Sequence, residues 1–146
     1  MTGFAKGLII SAVLLVVVIA AGVAAGVYWL SAHSGEFLEK TRQSMADGQR
    51  FGRKTDNQGC LTEAVSRYKQ SPGLSAAIST QLFLQGCLQA SHQTPGFCDG
   101  VPKPTDFIKG GLWQKQQCAH NDLRDSYCPQ IFAQVQSYCD MHRPAE

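Results

Sequence analysis

An uncharged apolar run, GLIISAVLLVVVIAAGVAAGVYWL from Gly7 to Leu30, constrains this chain more than any other feature. At about 1.5 Å of rise per residue, a helix over the run reaches roughly 36 Å, against a bilayer hydrocarbon core of about 30 Å. It predicts a single transmembrane helix over 7–30, preceded by a short N-terminal tail over 1–6. A cleavable signal peptide has an apolar stretch of only about 7 to 15 residues, so the length favours an uncleaved signal-anchor, although Ala20, Ala21, Ala24 and Ala25 lie inside it. Phe4 at one end and Tyr28 and Trp29 at the other are placed for the headgroup layer. Gly22-x-x-x-Gly26, with Ala21 and Ala25 alongside, gives the span a small-residue face for close packing of another membrane helix, a second copy of this chain included.

Two signals disagree about orientation. Lys6 and the amino group flank the span on one side and Lys40, Arg42 and Arg50 on the other, which leans towards a cytoplasmic C-terminal domain. Against this stand Cys60, Cys87, Cys98, Cys118, Cys128 and Cys139, an even number in a short polar segment, as expected in an oxidising compartment. The cysteines weigh more, because Glu36, Glu39 and Asp47 offset a small charge excess. The expected setting is therefore a bacterial inner membrane with the C-terminal domain in the periplasm; the lack of an N-x-S/T glycosylation site fits this.

With 16% charged residues, 44% hydrophobic residues and a formal charge of +2, the chain lacks the basic balance of a nucleic-acid binder. After the anchor the expected fold is all-α: a small disulfide-stapled bundle of about four helices over 60–142, with a C-terminal tail over 143–146. Residues 31–59 read as a juxtamembrane connector, helical at first with Phe37, Leu38, Thr41 and Met45 near one face, then interrupted by Gly48, Gly52 and Gly59. The cluster Arg50 to Lys54 is basic enough to touch anionic headgroups or an acidic partner, but at this modest charge a solvated linker is the favoured reading.

Leu61, Ala64, Val65 and Tyr68 recur at helical spacing, Ser71-Pro72-Gly73 makes a turn, and Leu74, Ile78, Leu82 and Cys87 resume the pattern. A Pro/Gly-rich loop over Ser91 to Pro104 holds Cys98 and offers a recognition surface. Thr105 or Asp106 can then cap a helix through Phe107, Ile108, Leu112 and Trp113, which Gly110 and Gly111 weaken. Pro129 suits the first turn of a last helix whose Ile131, Phe132, Val135 and Cys139 share a face. Phe97, Trp113, Tyr127 and Tyr138 are candidates for the core first and for a contact patch second.

Spacing alone does not fix the pairing of six cysteines. Residues equidistant from a turn face each other across antiparallel helices, which favours Cys60 with Cys87 and Cys118 with Cys128, leaving Cys98 for Cys139. The interval from Cys118 to Cys128 resembles that of the twin C-x9-C helical hairpins of the mitochondrial intermembrane space. The next interval, to Cys139, is one residue longer and shares a cysteine, so the resemblance implies a disulfide-clasped helical hairpin and covers a small part of the chain.

A rival chemistry uses Cys118, His120, Cys139 and His142 as a tetrahedral metal site, with Met141 as a soft ligand for copper. A thiol enzyme would use Cys118 with His120 and Asp122. Disulfide formation removes the thiolate that either needs. Asp122 and Asp125, one helical turn apart, suit a solvated pair or a helix cap. No haem-attachment motif, C-x-x-C pair, G-x-S-x-G or Walker-type loop occurs, and the reading calls for no cofactor. The sequence therefore favours a non-catalytic accessory subunit or protein-binding module of an envelope complex, its partners being the lipid bilayer and another membrane or periplasmic protein. A periplasmic metal handler and a small envelope hydrolase are the alternatives.

Overall fold

Gly48 and Gly52 do not interrupt a helix but let two helices touch. The computed structural model describes residues 2–143, apart from the side chains of 2–12, 30, 32–34, 36 and 37. Its first helix, α1, runs Thr2–Gly52, so the expected connector over 31–59 is mostly helix. A Cβ on Gly48 would collide with the backbone carbonyl oxygen of Phe83 and come within 2.9 Å of the Cys87 amide nitrogen. A Cβ on Gly52 would strike the Cys87 carbonyl, and one on Gly86 the Met45 carbonyl. Glycine, a weak helix former, is used here because only a residue without a Cβ allows such backbone approach. Local propensity alone reads these positions as breaks.

The chain divides into two compact units, Met1–Glu39 and Lys40–Glu146. In the first, Val13 to Trp29 lie on α1 with their large apolar side chains more than half exposed, and a Cβ on Gly22 or Gly26 would meet open space. The expected span over 7–30 falls partly outside the described side chains. Among the described residues no helix is long and apolar enough to cross a membrane. Of the expected connector face, Phe37 is outside the described side chains, Leu38 is exposed and Met45 is half-buried.

The second unit adds α2 (Asn57–Gln70), α3 (Leu74–Ala90), α4 (Phe107–His120) and α5 (Cys128–Met141) to the end of α1. No strand occurs among the described residues; an isolated bridge pairs Asp56 with His92. Helix α2 starts at Asn57 rather than Cys60, because the Asp56 carboxylate caps it by accepting from the Gly59 amide at 2.8 Å. Helix α3 packs against α2 and α5, and α5 against α4. Phe83 of α3 lies between the guanidinium of Arg67, 3.9 Å above its ring, and Phe51, whose ring centroid is 5.9 Å away.

The disulfides join Cys60 to Cys87 and Cys118 to Cys128, the pairs that equidistance from the turns favours, and Cys98 to Cys139, the third expected pair. Helix α5 buries Ile131, Phe132, Val135 and Cys139, as its spacing predicts, together with Tyr138, and carries Pro129 in its first turn. Helix α4 departs from expectation. Its inward face is Gly110, Trp113, Gln117 and Cys118, whereas Phe107, Ile108 and Leu112 are exposed. Gly110 faces in because a Cβ there would come within 2.9 Å of the buried Gln136 amide. On α3, Leu74 is exposed, and Ile78 and Leu82 only half-buried, because Ala77, Thr80, Phe83, Leu84 and Gly86 to Leu88 form the interior face.

The close approach of α1 and α3 makes a specific demand. Gly48→Val should destabilise the second unit by about 1 to 3 kcal/mol through overpacking, lowering its thermal midpoint by several degrees. Gly22→Val, built into open space, should leave that midpoint unchanged. Thermal unfolding of both variants followed by circular dichroism checks the contrast.

Candidate functional site

Both sides of one groove in the second unit are helices. Along α2, Gln58, Leu61, Thr62, Val65, Ser66 and Lys69 line a groove of about 570 Å³. Those positions recur every three or four residues, so one face of α2 runs along the groove for roughly 16 Å. Trp113, Gln117, His120 and Asn121 of α4 form the opposite wall, and Val135 of α5 lies in the floor. Phe97, Asp99 and Val101 contribute from the loop between α3 and α4. Val65, Val101 and Val135 are buried, whereas Gln58, Thr62, Ser66, Lys69, Asp99 and His120 are exposed. Buried apolar side chains thus lie under a polar rim that carries one acidic and one basic residue, Asp99 and Lys69.

The expected recognition loop is thoroughly pinned. The His92 amide donates to the Thr55 carbonyl, the Asn57 amide to the His92 carbonyl, and the Thr94 amide to the Asn57 side-chain oxygen at 3.0 Å. The Asn57 Nδ2 donates to the hydroxyls of Ser91 and Tyr138. Further along, Gln136 donates to the Pro102 carbonyl, Arg143 to the Val101 carbonyl, and Cys98 is bridged to Cys139. Phe97 meets Tyr138 edge-on, with centroids 6.1 Å apart. These bonds hold the Phe97 to Val101 side of the groove at the start of α2.

The other end is tied by a phenol and a carboxylate. The Tyr68 hydroxyl, at the end of α2, donates to Asp125, whose same oxygen accepts from the amides of Tyr127 (2.9 Å) and Cys128 (3.1 Å) at the start of α5. Asp125 is therefore a cap, one of the two roles expected of the Asp122 and Asp125 pair; Asp122 is exposed with a positive φ of 55°. Burial first, then the hydrogen bond to Asp125, pushes the Tyr68 phenol up to about 12. Burial opposes the charge on Asp125, but the hydrogen bonds from Tyr68 and the Tyr127 and Cys128 amides outweigh it and hold its carboxyl below the ordinary carboxylate range.

The rival ligand set does not assemble. Cys118 is bridged to Cys128 and Cys139 to Cys98, so neither is a thiolate available to a metal or to a substrate. The His142 ring stacks on Tyr138 at 4.1 Å, and its Nδ1 is 2.8 Å from the Tyr138 carbonyl oxygen, while His120 sits on the groove rim. Among the described residues no group of three or more His, Cys, Asp or Glu is placed to hold a metal ion. In the basic cluster, Arg50 pairs with Asp47, and Arg53 and Lys54 are exposed. No family model, curated protein or solved structure matches the chain.

The groove itself escapes a reading of the sequence. Gln58, Thr62, Ser66 and Lys69 look like a solvated helix face, and only the distance between α2 and α4 turns that face into a wall. The spacing of these four residues on one side of α2 is the only trace that the sequence carries.

The Tyr68–Asp125 tie has a pH signature. A phenol with a raised pKa in the fold stabilises it fully below about pH 10, and that contribution is lost as the pH rises towards 12. Asp125, with a lowered pKa, contributes above the ordinary carboxylate range and loses that contribution as the pH falls through its folded value. Ultraviolet titration of the folded protein should show one tyrosine ionising last, and Tyr68→Phe should delete that step alone. Ionisation of every tyrosine together near pH 10, with the helices intact, is the contrary result.

Proposed function

We propose that this chain is a single-pass membrane-anchored protein whose extracytoplasmic helical domain is a non-catalytic, protein-binding accessory subunit of an envelope complex. The observation that carries the binding half is the groove between α2 and α4, an apolar floor with a polar rim on walls that disulfides and hydrogen bonds fix in place. The anchor rests on the sequence: Gly7 to Leu30 contains no charge and is long enough for a bilayer core of about 30 Å.

Three disulfides and no free cysteine support an oxidising compartment for the domain, and a bacterial periplasm is the setting proposed. They outweigh the Lys/Arg count, which favours the opposite orientation. Gly22 and Gly26 leave open space on the anchor helix, which suits a second membrane helix there, from a partner or a second copy. A nucleic-acid role has no support in a formal charge of +2.

Intact-mass analysis after thiol alkylation of the membrane-extracted protein tests compartment and chemistry together. Modification of all six cysteines only after reduction is the expected result. Alkylation without reduction would sink the extracytoplasmic assignment and reopen thiol or metal chemistry. Extraction by alkaline carbonate, which releases peripheral proteins, should leave the chain in the membrane pellet; its release would refute the anchor.

A further inference from the structure

We infer that the groove between α2 and α4 receives one amphipathic helix of a partner protein, about three turns long, with its N-terminus at Asp99 and its C-terminus at Lys69 and His120. The inference rests on the partner-binding reading above and specifies the partner.

The shape argues for a helix. Two helices form the walls and a third the floor, which are the surroundings in which a further helix packs its ridges between those of its neighbours. The wall from Gln58 to Lys69 is roughly 16 Å long, or about three helical turns. Strand addition by an extended peptide needs a sheet edge, and no strand occurs among the described residues. A helix satisfies its own backbone and asks only for an apolar floor and polar shoulders. Leu61, Val65, Trp113 and Val135 supply the floor and lower walls, and Thr62, Ser66 and Gln117 the shoulders.

The charges at the ends argue for direction. Asp99 belongs to the end where α2 begins, since its neighbour Phe97 packs on Tyr138 and Tyr138 is hydrogen-bonded by Asn57. Lys69 and His120 belong to the opposite end, where the Tyr68–Asp125 bond and the Cys118–Cys128 bridge draw the ends of α2 and α4 towards the start of α5. A helix carries partial positive charge at its N-terminus and partial negative charge at its C-terminus. One orientation matches both ends and the reverse matches neither. The docked helix thus runs in the same direction as α2.

Site-specific photocrosslinking in native membranes tests this with the full chain. Benzoylphenylalanine replaces Gln58 or Ser66 in the groove, or Leu112 on the outer face of α4; all three are exposed, and intact mass confirms the disulfides of each variant. Gln58 and Ser66 should crosslink to one helix of one protein, the Gln58 site lying about two turns N-terminal to the Ser66 site. Reversing both ends with Asp99→Lys and Lys69→Glu should lower the yield about two- to tenfold. Crosslinks in the opposite order, to an extended segment, to lipid or glycan alone, or insensitive to charge reversal overturn the inference. A protein captured from Leu112 but not from the groove overturns it while leaving the partner-binding reading standing. No protein captured from any of the three positions refutes both.

Discussion

The second unit is organised around a helix stapled at both ends. Cys128 begins α5 and is bridged to Cys118 at the end of α4, whereas Cys139 near its far end is bridged to Cys98 in the long loop. Between them Ile131, Phe132 and Val135 supply much of the buried apolar surface, with Trp113 set edge-on to Phe132 at 6.1 Å. A unit of this size buries a modest core, so covalent links carry part of the stability; bridges of this kind contribute about 2 to 4 kcal/mol each, mainly by restricting the unfolded chain. The bridges also fix the ends of α4 and of the loop independently of side-chain packing between α2 and α4. An open groove between those two helices is therefore compatible with a rigid domain.

The remaining bridge and the glycines form the complementary half of the design. Cys60–Cys87 joins α2 to α3, and Cys87 is also where Gly48 and Gly52 bring the backbone of α1 against α3. Gly48 stands at Phe83 and Cys87, Gly52 at Cys87 and Gly86 at Met45, so the two backbones touch at three glycines. Phe83 also meets the Phe51 ring of α1 and the Arg67 guanidinium of α2. A bulkier residue at Gly48 would push these groups apart and disturb the packing around the bridge.

Much of this was legible in the amino-acid sequence where side-chain size and burial agree. Helix α5 reads correctly because Ile131, Phe132, Val135 and Cys139 are large or sulfur-bearing, and all of them point inward. The same rule misreads α4, where the conspicuous Phe107, Ile108 and Leu112 are exposed and the inner face includes a glycine and glutamines. Half-buried Gln114 hydrogen-bonds to buried Gln136, and an amide pair of this kind leaves no apolar periodicity to find. Gly48 and Gly52 were misread for a related reason: their cost to an isolated helix is local, whereas the approach that they permit joins residues distant in sequence. The groove is a distance between elements, and no pattern within one element encodes it.

Where the polar groups are spent narrows what the domain can do. Among the described residues no buried side-chain nitrogen or oxygen lacks a hydrogen-bond partner. Asn57 is committed to Ser91, Tyr138 and Thr94, Gln136 to Gln114 and Pro102, and Tyr68 and Asp125 to each other. Groups so engaged rigidify a fold, and the shifted phenol and carboxylate stabilise one another. Chemistry-bearing side chains that stay free to meet a ligand lie on the surface, and on the groove rim they surround an apolar floor. Because the walls are already ordered by bridges and backbone bonds, a molecule docking there would immobilise little of this chain.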